Sequence, residues 1–219
     1  WEFETLSPDG AIFAVSLSND GEYLVAGGND RRLYLFSTSS SVPIWEIVLD
    51  TEIRQIDISP DGKDILVVTS SASYLFEMTE DRPDAYWTGE DEVKEGFFLN
   101  DDYFFLCYGR YSSSTYSISS ALFERSSQNQ VWSGIGCDRS TGAEDGEIII
   151  AGVCASCAVK IYSIESGVPF VLPYEGASSI RWPAAITKDS VLVLGSNYGS
   201  IKMFDWRTEE EKYFFSTEN

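Results

Sequence analysis

The side chains with most chemical potential are four cysteines, Cys107, Cys137, Cys154 and Cys157, and 35 carboxylates, in a chain without histidine. Cys154 and Cys157 flank a two-residue turn, a spacing that lets their Cβ atoms face each other within bridging distance, so they form a candidate disulfide. Cys107 sits in a strand-like run and Cys137 near the start of the next repeat, which makes a link between neighbouring repeats conceivable. An even count leaves three connectivities open, beside reduced buried thiols. A four-thiolate zinc site needs two close pairs and the sequence offers one, so no metal ligand set is assigned. A redox role lacks the strand-helix setting that lowers a thiol pKa.

The missing histidine removes the commonest general base, the usual zinc nitrogen ligand and every Ser-His-Asp or Cys-His arrangement. No Asp-x-Asp-x-Asp-Gly calcium loop and no glycine-rich phosphate loop appears. The expectation is a chain with no catalytic residue and no cofactor.

Other residues suit recognition better than reaction. Tyr111 and Tyr116 bracket a serine run, the aromatic-hydroxyl mixture that adaptable binding surfaces use. Asn29, Asp30 and Arg31, the acidic run Glu90, Asp91 and Glu92, and Asn197 with Tyr198 fall in other predicted connections, as do Asp50, Glu52, Glu95 and Glu175. These residues form one candidate binding face only if the elements between them project them to the same side.

Those elements repeat. Ala14 to Ser18, a turn at Asn19, Asp20 and Gly21, then Glu22 to Gly27 read as two strands around a tight turn. Gln55 to Ser59, a turn at Pro60, Asp61 and Gly62, then Asp64 to Thr69 repeat it, and weaker copies centre on Asp101, Asp145 and Asp189. An Asp-Gly turn closes tightly because Gly accepts positive φ. The turn aspartates recur at roughly forty residues, the period of propeller blades. A third strand follows each pair: Arg32 to Phe36, Ser73 to Glu77, Ala121 to Arg125, Val159 to Ser163 and Ile201 to Asp205, with Leu33, Tyr74, Leu122, Ile161 and Met203 as inward candidates. A fourth element carries one large aromatic, Trp45, Trp87, Trp132, Phe170 or Tyr213, with Trp1 as a sixth. Alternating apolar and polar residues give each strand one core face, and no helical period is found. A single sheet of this size cannot bury both faces, so copies stack.

The stretches "VSLSNDGEYLVAGGNDRRLYLF" and "IDISPDGKDILVVTSSASYLF" resemble blades of prokaryotic WD-repeat-like β-propellers, of the quinoprotein-like and YVTN-like kind. No repeat carries the Gly-His pair or the Trp-Asp ending of the typical eukaryotic repeat. The resemblance implies an all-β propeller of four-stranded antiparallel blades in one domain, with blocks at about 1-44, 45-86, 87-131, 132-169 and 170-219. Five inner sets meet six outer-strand candidates, Trp1 to Leu6 included. Either a five-bladed ring closes with one strand to spare, or five blades belong to a larger ring; the start at Trp1 favours the larger ring. Second-to-third-strand connections and sheet-to-sheet connections emerge on one propeller face, where the candidate binding residues then gather.

The formal charge of −20 repels phosphate backbones and anionic lipid, so nucleic acid is not an expected partner. No apolar run is long enough to span a bilayer, so direct membrane insertion is not expected either. The expected role is a non-catalytic scaffold for a basic protein partner or for self-assembly, in an extracellular or cell-surface setting, with a cytoplasmic scaffold as the alternative. A carbohydrate-active propeller, lectin or glycosidase with paired carboxylates, is the second expectation, since five-bladed propellers include glycosidases. A quinone-dependent dehydrogenase is disfavoured because nothing marks a cofactor pocket.

Overall fold

The computed structural model describes residues 1–5, 10–89, 92–112, 115–135, 139–142, 148–152, 159–172, 180–186, 191–196, 200–205, 208 and 210–216. All regular structure among them is β-strand, arranged as four-stranded antiparallel sheets whose strands lie side by side in chain order. The first sheet contains β1 (Ile12–Leu17), β2 (Tyr23–Gly28), β3 (Arg32–Ser37) and β4 (Trp45–Val48). The second contains β5 (Ile53–Ile58), β6 (Asp64–Thr69), β7 (Ser73–Glu77) and β8 (Ala85–Gly89). The third contains β9 (Val93–Phe98), β10 (Tyr103–Ser112), β11 (Thr115–Glu124) and β12 (Gln130–Ile135). The fourth contains β13 (Arg139–Gly142), β14 (Ile148–Gly152), β15 (Val159–Ser163) and β16 (Ser166–Leu172). The fifth contains β17 (Ile180–Ile186), β18 (Val191–Ser196), β19 (Ser200–Asp205) and β20 (Glu210–Ser216). Each aromatic-bearing strand pairs with the strand before it, as in Leu35 opposite Trp45 and Leu75 opposite Trp87. The sequence blocks therefore shift: Trp45 and its counterparts end a sheet and do not open the next one.

The chain divides into two compact units, Trp1–Asp101 and Asp102–Asn219. In the first, β5 packs on β1 and β9 packs on β5, so successive sheets meet face to face. Their shared core joins Val25, Leu33, Leu35, Trp45 and Ile47 of the first sheet to Ile53, Ile56, Ile58, Ile65 and Val67 of the second. With neighbours on both sides, β6 is buried along its whole length. Its central Ile65-Leu-Val-Val68 is accordingly a continuous apolar run and not the alternation expected of a half-buried strand. In the second unit Phe104, Phe105, Leu106, Leu122, Phe123, Ile161 and Tyr162 are buried, and the Phe104 and Phe123 rings stack 5.1 Å apart.

The repeating turn forms by one mechanism in the first two sheets. Ser18 O accepts from Gly21 N and Ser59 O from Gly62 N, both at 2.8 Å, with the glycines at φ +74° and +71°. Asp20 Oδ1 accepts from Ser18 Oγ (2.5 Å) and Glu22 N (2.9 Å), and Asp61 Oδ1 from Ser59 Oγ (2.8 Å) and Lys63 N (3.2 Å). The two turns are tied together by Asn19 Nδ2, which donates to Pro60 O at 2.8 Å. Those aspartates are consumed by turn chemistry. The Ser18 hydroxyl, followed by the Glu22 amide, holds the Asp20 carboxyl below its ordinary pKa.

Residues 1–5 contain no strand, contrary to the outer-strand expectation for Trp1 to Leu6. Their aromatic rings nevertheless pack: Trp1 stacks on Phe36 at 5.5 Å, and Phe3 meets Tyr34 and Phe36 edge-on.

Candidate functional site

The predicted recognition residues occupy several distinct settings. Asn29 and Asp30 form the turn between β2 and β3 and hold it together. Asn29 Oδ1 accepts from Ala11 N at 2.6 Å, while Asn29 N donates to Ala11 O at 3.1 Å. Asp30 accepts from Arg32 N (3.1 Å) and from the Tyr34 hydroxyl (2.6 Å). Burial, reinforced by that bond to Asp30, raises the Tyr34 phenol above its ordinary pKa. Arg31 completes the turn at φ 64°, with its side chain exposed. Asn29 and Asp30 thus spend their polar atoms on the fold.

The sequence places Tyr111 and Tyr116 in a predicted connection between two strands. The structure instead continues β10 and β11 as two ten-residue strands, with Tyr111 directly opposite Tyr116 and Ser112 opposite Thr115. Tyr, Thr and Ile favour the extended backbone, so the hydroxyl-rich composition lengthened a hairpin. Glu92 is exposed immediately before β9. Glu90, Asp91, Asn197 and Tyr198 lie outside the described residues, as do Cys137, Cys154 and Cys157. Cys107, fully buried on β10, is disulfide-bonded. The candidate Cys154–Cys157 pairing falls outside the described residues. Glu52 of the expected acidic group pairs with Arg54 at 3.1 Å.

A cleft missed in the sequence lies on the side of the Asp-Gly turns, within the first unit. One lobe, about 260 Å³, is bounded by Tyr23, Leu35, Gly62, Met78, Thr79 and Glu80. The adjoining lobe, about 300 Å³, adds Glu22, Ser37, Thr38, Ser39 and Ile44 to Tyr23 and Glu80. Hydrogen bonds to backbone carbonyls fix its walls: Thr38 N donates to Glu22 O, Met78 N to Lys63 O, and the Thr38 hydroxyl to Gly21 O. The segment after each third strand is thereby clamped to the first turn of its own sheet. Trp45 Nε1 donates to Thr79 O at 2.8 Å and locks the second sheet's segment to the first sheet.

Within the cleft the Tyr23 hydroxyl donates to Glu80 Oε1 at 3.4 Å. Burial first, and the negative charge of Glu80 second, raise the Tyr23 phenol pKa, so it remains a neutral donor at physiological pH. Glu22 and Glu80, both exposed, give the cleft two carboxylates beside one phenol and the hydroxyls of Ser37, Thr38 and Ser39. It can accept hydrogen bonds from a cation or a polyol. No spacing rule would have found it, because Glu80 follows the third strand of the second sheet while Glu22 follows the first turn of the first sheet.

A different kind of carboxyl lies inside the stack. Asp57 Oδ2, on β5, accepts from Phe98 N of β9 at 2.7 Å. Burial pushes its pKa up to about 6, against the pull of the Phe98 and Ile58 amides. It serves the sheet junction. Among the described residues no group of three or more His, Cys, Asp and Glu converges as a metal site. Against known proteins, the chain matches no family model and no curated sequence.

Proposed function

We propose that this protein is a non-catalytic scaffold of the WD-repeat-like propeller type that recognises a basic protein segment. Face-to-face packing of successive four-stranded sheets through their first strands, β1 with β5 and β5 with β9, supports radial stacking. The observation that carries the binding role is the cleft whose Glu22 and Glu80 carboxylates flank Tyr23. A Lys or Arg side chain entering it would meet two opposite charges and several acceptors, and the chain's −20 charge would speed encounter. The disulfide at Cys107 supports an extracellular or cell-surface setting, because such bonds persist in oxidising compartments.

Isothermal titration with short Lys- and Arg-rich peptides tests the proposal. Exchanging Glu22 and Glu80 together for Gln should weaken capture at least about tenfold and flatten its salt dependence, since each charge-assisted bond contributes roughly 1.5–3 kcal/mol. Equal affinity before and after the exchange would refute it. The cleft's phenol and hydroxyls also suit a sugar, which keeps a carbohydrate-binding role as the second reading. A glycan array with the same double variant separates the two.

A further inference from the structure

Three features recur among the described interfaces between successive sheets, and the first sheet presents its half of such an interface uncovered. The first feature is apolar burial. On β5 the residues facing the preceding sheet are Ile53, Ile56 and Ile58, at 0, 6 and 7% exposure, and on β9 Val93 and Phe98 are at 0 and 8%. β1 and β5 share one register, each with an irregularity after its first residue, so Val15 corresponds to Ile56 and Leu17 to Ile58. Yet Val15 is 61% and Leu17 56% exposed, with Phe13 beside them at 54%.

The second feature is a side-chain acceptor for the free amide of the incoming first strand. Ile58 N donates to Ser16 Oγ (3.2 Å), and the corresponding Phe98 N donates to Asp57 Oδ2 (2.7 Å). Leu17 holds the same position on β1, and no such acceptor reaches it among the described residues.

The third feature is an outer-strand tryptophan seated on the next sheet. Trp132 stacks on Tyr162 at 5.1 Å and donates through Nε1 to Ile164 O at 3.0 Å. Trp45 donates likewise to Thr79 O. Trp1 stacks on Phe36, the counterpart of Tyr162, and donates to Thr38 O at 2.7 Å. Trp1 therefore occupies the seat of an outer-strand tryptophan, although residues 1–5 belong to no sheet. Among the described residues each of the five sheets already has four strands, so none of these sheets lacks an outer strand.

We propose that the free face of β1, together with residues 1–5, is a docking surface for a three-stranded antiparallel sheet of another polypeptide, which takes Trp1–Thr5 as its fourth strand. The partner's first strand would lay apolar side chains on Phe13, Val15 and Leu17 and offer an Asp, Ser or Gln oxygen to Leu17 N. Its third strand would pair with residues 1–5 through backbone bonds. Neither contact uses the cleft at Tyr23 and Glu80, so the two proposals stand or fall separately.

The probe is a polypeptide of residues 53–78 of this chain, which holds β5 to β7, lacks an outer strand and carries Asp57 as the acceptor. It is used free, and also fused ahead of Trp1 through residues 79–84, so that affinity is not limiting. Hydrogen exchange of the full chain should slow at least tenfold at Leu17 and across residues 2–5 when the probe is present. Val15→Glu, at an exposed site that leaves the fold intact, should weaken binding of the free probe at least tenfold, and Asp57→Ala in the probe should do the same. Unchanged exchange with the fused probe, or binding indifferent to Val15→Glu, would overturn the proposal. So would sedimentation showing that the chain alone dimerises with its β1 amides already protected, since a second copy would then be the occupant.

Discussion

Asp57→Asn should remove a pH dependence that burial builds into the junction between β5 and β9. The Asp57 carboxyl titrates near 6, against the ordinary 3.8, because the sheets on either side strip it of water. At about 1.4 kcal/mol per pH unit the full difference corresponds to about 3 kcal/mol, and because Asp57 keeps partial solvent contact we expect about 1–2 kcal/mol. The folded pKa is raised, so between roughly 4 and 6 the folded state binds a proton that the unfolded chain has released. Asp57 therefore contributes most to stability below pH 4, and this contribution is lost as pH rises through 6. Asparagine keeps an oxygen for Phe98 N and carries no charge. Urea unfolding at pH 4, 5, 6 and 7 for both proteins should give curves that separate in this window, with the variant gaining on the parent by about 1–2 kcal/mol between pH 4 and pH 7. Parallel pH profiles would show that Asp57 is solvated well enough to ionise freely, and the account of its burial would be wrong.

Three further perturbations probe the framework. Gly28→Ala would place a Cβ 1.8 Å from the Ala11 carbonyl oxygen, so the start of β1 must move and the bonds between Asn29 and Ala11 must break. A loss of about 1–3 kcal/mol is expected from chemical denaturation, and a cost below about 0.5 kcal/mol would contradict that close approach. Trp132→Phe keeps an aromatic ring near Tyr162 but removes the bond to Ile164 O, and should cost about 1 kcal/mol in thermal melts. Trp132→Ala should cost about 3–5 kcal/mol. Cys107→Ser breaks a buried disulfide and should cost about 2–5 kcal/mol, with mass spectrometry of the parent under non-reducing conditions showing at least one bridge.

The sheets were legible because their signals are local. Asp20-Gly21 and Asp61-Gly62 set turns through bonds that span only a few residues, and Asp64–Thr69, Ser73–Glu77 and Val159–Ser163 fall where the sequence predicts strands. The aromatic positions were legible too, since Trp45, Trp87 and Trp132 each stand on the last strand of a sheet. Errors arose where local composition carries two meanings. Tyr111, Ser112 and Thr115 read equally as a polar loop and as the end of a hairpin, and only ladder pairing decides between them. Trp1 looked like part of a strand, yet a strand needs a neighbour with a free edge, and a run of six residues cannot reveal whether one is present.

The candidate site was barely legible, for a related reason. Asn29 and Asp30 were singled out as polar residues in a connection, but a polar residue that nucleates a turn and one that awaits a ligand have the same letter. What separates them is where the polar atoms point: Asn29 Oδ1 and both Asp30 oxygens are already taken by Ala11 N, Arg32 N and the Tyr34 hydroxyl. Glu22 and Glu80 carry no motif, stand fifty-eight residues apart, and meet only because the segment after β7 is held against the first sheet by Trp45. At the junctions of the first sheet with the second and of the second with the third, residues about forty positions apart meet in the same way. A search for function should therefore start from pairs of positions one repeat apart, as Ser16 with Ile58 and Asp57 with Phe98 already illustrate for structure.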